Sequence, residues 1–132
     1  MIKHNRNAYH AGDGVNGTGN RKYISIEICY ETGDLEKFKA SEKNAAIYIA
    51  KLLKQFGWTI KNVKRHKDFS GKNCPGRTMQ LGWQRFLDMI QAELDKLNKT
   101  QKQNGVKYKI TTDVLNVRSG PSTRIIVILL TK

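Results

Sequence analysis

Apolar and polar residues alternate in one short segment of the chain and recur at helical spacing in two longer ones. Residues 23–30 (YISIEICY) alternate with a period of two, which predicts a β-strand with its three isoleucines on one face. Residues 41–56 and 78–97 carry apolar side chains every three to four positions, which predicts two helices that each cover a sheet. We expect Ser41 and Thr78 to cap these helices at their N-termini.

The remaining segments are predicted to be loops, a linker and further strands. The segment up to residue 20 is rich in Gly and Asn, which indicates a loop with a tight backbone path. Residues 58–65 are predicted to be extended and to lead into a loop that begins at His66. Residues 98–105 contain no large apolar residue and are predicted to be a linker, and residues 106–132 are predicted to form strands around a turn.

Composition and charge narrow the function classes. The 132 residues include 24 Lys and Arg against 11 Asp and Glu, which gives a formal net charge of +13 at pH 7. Such a surface attracts polyanions, and both nucleic acid and the phosphate-rich polymers of a cell wall satisfy this condition. No apolar run approaches the roughly 20 residues that cross a bilayer, and the first residues lack the apolar stretch of a signal peptide. We therefore expect neither a membrane span nor a secretory leader.

A histidine and a cysteine share one predicted loop, HKDFSGKNCP at residues 66–75. Imidazole and thiolate are ligands that Zn²⁺ prefers, so His66 and Cys74 are candidate metal ligands. Lys72 precedes the cysteine by two positions, where its charge would favour the thiolate and could stabilise an oxyanion. Taken by themselves, one His and one Cys do not decide between a zinc site and a surface histidine near a buried cysteine.

Two further residues have side chains that could take part in catalysis. Glu27 lies mid-strand on the more polar face, where a carboxylate beside a metal could accept a proton and pass it to a leaving nitrogen. The alternative is a solvent-facing glutamate on a one-sided sheet. His10 lies in the glycine-rich loop, where it could bind substrate or metal or could be an ordinary surface histidine.

Three segments carry a resemblance to a known family. YHAGDG at residues 9–14, ISIEIC at 24–29 and HKDFSGKNCP at 66–75 occur in the order and spacing of the type 2 N-acetylmuramoyl-L-alanine amidases. Over roughly residues 1–94 the chain resembles these zinc amidases of phage endolysins and bacterial autolysins, which are related in fold to peptidoglycan recognition proteins. The resemblance implies an α/β fold with a mixed central β-sheet flanked by helices. It also implies hydrolysis of the amide that joins the muramic-acid lactyl group to L-alanine in peptidoglycan.

The same resemblance assigns roles to individual residues. His66 and Cys74 match two of the family's zinc ligands. Lys72 matches the residue that stabilises the tetrahedral intermediate, and Glu27 matches the acid/base carboxylate. The residues expected to line the substrate groove are His10, Gly12 and Asp13.

The pattern departs from that of the family at the start of the chain. The family's first zinc ligand is a histidine on an early strand, well before the segment at residues 9–14, whereas only nine residues precede His10 here. We therefore expect an amidase domain at residues 1–97 that lacks its first strand and one zinc ligand. His4 is poorly placed to replace that ligand, since catalytic zinc needs three protein ligands in a fixed geometry.

The end of the chain departs from the expected pattern as well. Residues 112–122 resemble the opening of a bacterial Src-homology-3-like wall-binding domain. A linker at 98–105 followed by a partial small β-barrel at 106–132 is the expected arrangement. The apolar run at 125–130 is an aggregation risk if it finds no partner. Truncation at both ends would suit the remnant of a prophage endolysin.

The sequence leaves three functions to separate. The first is a zinc-dependent N-acetylmuramoyl-L-alanine amidase, impaired if its first zinc ligand is missing. The second is a non-catalytic, wall-binding remnant of such an enzyme. The third is a small nucleic-acid-binding protein, which rests on charge alone and lacks an aromatic-interleaved or recognition-helix pattern. For the first two we expect Zn²⁺ as cofactor and peptidoglycan with anionic wall polymers as partners. We also expect a monomer that binds no specific nucleic acid and no membrane, and that stays in the cytoplasm until its release to the cell wall.

Overall fold

A computed structural model describes residues 9–29, 33–104 and 125–131, with side chains up to residue 100. A short helix leads into the first strand, and two long helices and three short helical segments follow before the last strand. The elements in chain order are α1 (Thr18–Lys22), β1 (Tyr23–Cys29), α2 (Leu35–Phe56), a 3₁₀ turn (Ile60–Asn62), β2 (Val63–Arg65), α3 (Lys67–Ser70), α4 (Gly76–Gln80), α5 (Trp83–Asn104) and β3 (Ile125–Thr131). The described helices contain no segment that is both long and apolar enough to span a bilayer.

The three described strands form one antiparallel sheet in the order β1-β3-β2. Strand β3 therefore lies in the middle, with Ile128 opposite Ile26 of β1 and opposite Arg65 of β2. This placement differs from the expectation that residues 106–132 belong to a separate small barrel. The segment 112–122, which carries the resemblance to a wall-binding domain, lies outside the described residues.

The alternation in β1 matches the prediction because it separates a buried face from a more open one. Ile24, Ile26 and Ile28 are buried, whereas the residues between them are partly or fully exposed. Helix α2 packs against β1 and against α5, so the isoleucines meet a helical layer and an apolar core forms between them. The α/β class is thus confirmed for the described part of the chain, whereas the three described strands are all antiparallel and do not form the mixed sheet that the resemblance implied.

Helix α2 begins earlier than its apolar spacing predicts. Ser41 was the expected N-cap, but the helix begins at Leu35 and Asp34 is its cap. One carboxylate oxygen of Asp34 accepts hydrogen bonds from the backbone N–H groups of Glu36 and Lys37, at 2.9 and 3.1 Å. A side-chain acceptor for the first free N–H groups stabilises the start of a helix. The first turn of α2 is therefore helical, although it is mostly charged and the spacing of apolar residues does not reveal it.

The second long helix also has different bounds from those predicted. Thr78 is buried inside the short helix α4 and does not cap the long one. Gly82, with φ +105°, separates α4 from α5, because this left-handed backbone conformation interrupts a right-handed helix. Helix α5 then continues to Asn104, so residues 98–104 of the predicted linker are helical.

A buried ion pair joins the two long helices. Glu42 of α2 has no exposed surface, and its Oε2 accepts a short hydrogen bond from the guanidinium of Arg85 in α5. The other carboxylate oxygen, Oε1, is buried without a hydrogen-bond partner among the described side chains. Arg85 offsets the charge of this carboxylate, since an unpaired buried charge is costly.

We expect Arg85→Ala to lower the free energy of unfolding by about 3 kcal/mol, because it leaves the Glu42 carboxylate buried and unpaired. Chemical denaturation followed by circular dichroism measures the change. The matched control is Lys39→Ala, which breaks the exposed ion pair with Glu36 and is expected to cost at most about 1 kcal/mol. Equal losses of unfolding free energy in the two variants would show that the buried pair stabilises the fold no more than the exposed pair does.

Candidate metal and catalytic site

The candidate metal ligands lie at the two ends of one short loop. His66 follows the last residue of β2 and precedes α3, and Cys74 lies eight positions later, just before α4. The backbone N–H of Lys67 donates to the carbonyl of Cys74 at 3.1 Å, which closes the loop and holds its two ends side by side. His66 and Cys74 are each only 7% exposed.

The chemical state of both side chains suits metal binding. The Nδ1 atom of His66 is buried and has no hydrogen-bond partner among the described residues, and the thiol of Cys74 forms no disulfide there. A buried polar atom without a partner is rare in folded proteins, and an absent ion is one of its explanations. Nitrogen and sulfur donors are also those that Zn²⁺ prefers. These two residues therefore fit a zinc ion.

The electrostatic surroundings of His66 lower its pKa and so favour the neutral imidazole. Burial lowers its pKa most, and the positive charge of Lys72 lowers it further. A hydrogen bond to the backbone of Ala11 and the charge of Asp13 oppose this shift without reversing it. The neutral imidazole is the form that binds a metal. The charges of Lys72 and Asp13 therefore act on the pKa of this imidazole in opposite directions.

The glycine-rich loop lies directly against the histidine. Gly12 has a left-handed backbone, with φ +69°, and a Cβ added there would lie 3.4 Å from Nε2 of His66 and 3.2 Å from Cβ of Ser70. The loop itself is tied to α1: the carboxylate of Asp13 accepts hydrogen bonds from the N–H groups of Gly19 at 2.6 Å and Asn20 at 3.3 Å. The loop and α3 thus form adjoining walls around the imidazole.

Glu27 lies on β1 with its side chain exposed, and burial by the surrounding protein nevertheless raises its pKa. Within the part of the chain that the structure describes, it makes no hydrogen bond or ion pair with His66 or Lys72. The structure therefore groups His66, Cys74 and Lys72 with the loop at residues 11–13, and it leaves Glu27 on the strand without a direct contact to them. The carboxylate keeps the solvent access that proton transfer to a substrate requires.

The backbone N–H of His10 takes part in holding the loop. Its N–H and that of Ala11 both donate to the side-chain oxygen of Asn20, each at 2.7 Å. Asn20, which is 2% exposed, was not among the predicted site residues. The sequence contained only a weak signal for it, an asparagine at the end of a glycine-rich segment, because the partners of its side chain lie nine and ten positions away.

The described residues supply two metal donors. Across residues 9–29, 33–104 and 125–131 there is no group of three or more His, Cys, Asp and Glu side chains that could hold a metal ion. His4, which the sequence makes a poor third ligand, lies outside the described residues.

A cleft of about 710 Å³ is lined by β2, α3 and the first part of α5. Arg65 crosses it, with its guanidinium 2.7 Å from Asp68 and 5.7 Å from the centre of the Trp83 ring. Burial alone would raise the pKa of Asp68, but the hydrogen bonds and charge of Arg65 lower it. Neither His66 nor Cys74 lines this cleft, so it is distinct from the candidate metal site.

A buried imidazole and a buried thiol lie on one loop after β2, and Glu27 lies on β1, which is separated from β2 by the central strand β3. Imidazole, thiolate and carboxylate are residue types that hydrolytic metal sites use. Comparison with known families agrees: the model described as N-acetylmuramoyl-L-alanine amidase matches residues 1–77. The chain belongs to this amidase family.

Several curated amidases are similar to the chain. The N-acetylmuramoyl-L-alanine amidase CwlA of Bacillus subtilis is 46% identical over 114 residues, which cover 83% of this chain and 42% of the relative. XlyB of the same species is 48% identical over 92 residues, or 69% of this chain and 29% of the relative. CwlH is 39% identical over 114 residues, or 86% of this chain and 42% of the relative. The chain therefore spans less than half the length of these relatives. No solved structure matches it.

Proposed function

We propose that the chain acts on peptidoglycan as an N-acetylmuramoyl-L-alanine amidase, with His66 and Cys74 as zinc ligands. The observation that carries this proposal is the buried, unpartnered Nδ1 of His66 on the same loop as the buried thiol of Cys74. The family and the printed function of its relatives supply the substrate class. The bond to be cleaved is the amide between the lactyl group of muramic acid and L-alanine.

The protein's own residues divide the chemistry as follows. A bound zinc ion would polarise the amide carbonyl and lower the pKa of the attacking water. Lys72 stabilises the negative charge that develops on the carbonyl oxygen, because a cation near that atom interacts more strongly with the transition state than with the neutral amide. Glu27 accepts a proton from the attacking water and delivers it to the departing nitrogen of L-alanine.

The number of zinc ligands decides how active the chain is. Catalytic zinc sites have three protein ligands in a fixed geometry, whereas the described residues offer two. This observation favours a second candidate function, a non-catalytic module that keeps the groove and binds the wall. The net charge of +13 supports an attraction to anionic wall polymers in either case.

The first test is the zinc content of the purified chain, together with amide cleavage on isolated Gram-positive cell walls. We expect Cys74→Ala to lower zinc affinity by at least ~100-fold, since loss of a direct ligand exceeds the roughly 10–100-fold effect of changing an outer-shell partner. Cleavage is expected to be lost together with zinc. Cys29→Ala is the matched control, because Cys29 is also a free cysteine but lies on β1.

Each outcome separates the two functions. Zinc and cleavage that are both lost in Cys74→Ala but kept in Cys29→Ala support the amidase. Wall binding without zinc or cleavage in the unchanged chain supports the non-catalytic module. Binding to DNA that falls steeply with salt, without wall binding, would contradict both.

The raised pKa of Glu27 predicts how the stability of the fold depends on pH. Because burial disfavours its charged form, the folded protein keeps this proton at pH values where the unfolded chain has lost it. The contribution of Glu27 to stability is therefore expected to fall as the pH rises from the ordinary glutamate pKa through the raised one. Melting temperatures between about pH 4 and 7 measure this, and Glu27→Gln should remove the part of the pH dependence that Glu27 contributes. An unchanged pH profile in that variant would contradict the shift.

A further inference from the structure

We infer that Asn20 is a positioning residue for the candidate metal site: it fixes the backbone of the glycine-rich loop so that the imidazole of His66 presents Nδ1 to a metal ion. The inference rests on the proposed function for the identity of the metal. It concerns a residue of α1 that is separated from His66 by more than forty positions in sequence.

The first step is the clamp that Asn20 forms. Its side-chain oxygen accepts hydrogen bonds from the N–H groups of His10 and Ala11, both at 2.7 Å, and its side-chain nitrogen donates to the carbonyl of Gly14 at 2.9 Å. The amide thus makes three hydrogen bonds to the loop backbone while it is 2% exposed. A buried amide with this many backbone partners defines one loop conformation, since losing it would strand buried N–H groups.

The second step is the close packing of the loop between α1 and α3. Ala11 is fully buried, and a Cβ added at Gly19 would lie 2.4 Å from the Cβ of Ala11 and 3.0 Å from the ring of Phe69. The Phe69 ring in turn packs edge-on against Tyr23, with 4.7 Å between ring centres. The loop therefore has little freedom to move relative to α3, the helix that follows His66.

The third step is the contact with the imidazole. The Nε2 side of the His66 ring faces the loop, because a Cβ at Gly12 would lie 3.4 Å from that atom, and the ring forms its hydrogen bond with the backbone of Ala11. The Nδ1 atom has no partner. A ring N–H that donates to a carbonyl fixes the tautomer, which leaves the lone pair on the other nitrogen. Here that nitrogen is Nδ1.

The test compares three variants in the full chain. Asn20→Ala removes all three hydrogen bonds to the loop. Asn20→Asp keeps an acceptor for the two N–H groups and loses only the donor to Gly14. Asn16→Ala is the matched control, because Asn16 is an exposed asparagine of the same loop whose side chain contacts Arg21 and none of the site residues.

Two readouts are independent of activity. Nitrogen-15 NMR of the metal-free protein reports which ring nitrogen of His66 carries the proton, and titration with Co²⁺ reports metal affinity by its absorption spectrum. We expect the unchanged chain to show the Nε2–H tautomer. Asn20→Ala is expected to show both tautomers and to bind Co²⁺ roughly 10–100-fold more weakly than the unchanged chain. The Co²⁺ affinity of Asn20→Asp should lie between those of the unchanged chain and Asn20→Ala, and that of Asn16→Ala should match the unchanged chain.

The outcomes separate this inference from the proposed function. A folded Asn20→Ala variant with the original tautomer and Co²⁺ affinity would overturn the role of Asn20 while leaving a zinc amidase intact. A tautomer change in Asn20→Ala, in a chain that binds no zinc and cleaves no wall, would support the positioning role and contradict the amidase. If Asn20→Ala does not fold, the nitrogen-15 NMR spectrum of the unchanged chain still tests the inference. An Nδ1–H tautomer of His66 in that spectrum would contradict it.

Discussion

Replacing Glu27 by Gln is expected to lower kcat for amide cleavage by about 10²–10⁴-fold, the usual contribution of a general acid or base. The substitution keeps the size of the side chain and removes the carboxylate that would accept and return the proton. It leaves the buried face of β1 unchanged, because Glu27 lies on the exposed face of the strand. The new free amino groups of L-alanine released from purified cell walls measure the rate.

Zinc content and fold distinguish this loss from a structural one. Glu27 makes no hydrogen bond or ion pair with His66 or Cys74 in the described part of the chain, so Glu27→Gln should bind zinc as the unchanged protein does. At neutral pH the variant should melt at the same temperature or slightly higher, because burial disfavours the charged carboxylate that it lacks. Glu36→Gln is the matched control, since Glu36 is an exposed glutamate of α2 that only pairs with Lys39. A Glu27→Gln enzyme within a few-fold of full activity would exclude the proton-transfer role.

Local patterns predicted the parts of the fold that depend on neighbouring residues. Alternation identified β1 because its buried face needs only every second residue to be apolar. The end of α2 was also predictable, since Gly57 adopts the left-handed conformation, with φ +69°, that stops many helices. The start of α2 was not predictable, because the turn that follows the capping residue Asp34 is charged and lacks the apolar spacing that indicates a helix.

Candidate site residues could be chosen from the sequence where the relevant side chains lie within one segment. His66, Lys72 and Cys74 belong to a single segment, so their spacing and residue types made them candidates for one site before any fold was known. Asn20 could not be found in this way, because its importance comes from backbone groups nine and ten positions away. The contact between the glycine-rich loop and His66 depends on the packing of α1 against α3, which no local pattern encodes.

The position of β3 was the least predictable feature and leads to the second large effect. Strand β3 is the partner of both β1 and β2, which do not pair with each other. Neighbouring strands lie about 4.8 Å apart, so β1 and β2 are separated by about twice that distance, too far for direct hydrogen bonds. Without β3 both strands would present open edges, which favours aggregation over folding.

We therefore expect a chain that ends at residue 124 to lose its cooperative unfolding transition. Ile128→Pro tests the same point with a full-length chain: Ile128 pairs with both neighbouring strands, and proline lacks the N–H that a central strand needs. An unmet backbone hydrogen bond in the sheet costs roughly 1–3 kcal/mol, so this variant should melt well below the Ile128→Val control, which keeps the backbone donor. Near-ultraviolet circular dichroism and thermal melting measure both changes.

The consequence for the site follows from which strands β3 joins. Glu27 lies on β1, and His66 follows directly after β2, so the central strand connects the candidate proton-transfer residue to the candidate metal loop. We expect Ile128→Pro to weaken zinc binding and to abolish cleavage together with the loss of stability, whereas Ile128→Val should keep both. A chain ending at residue 124 that melts cooperatively at the original temperature would show that β1 and β2 hold their positions without this strand. The geometry of the site would then depend on the helices alone.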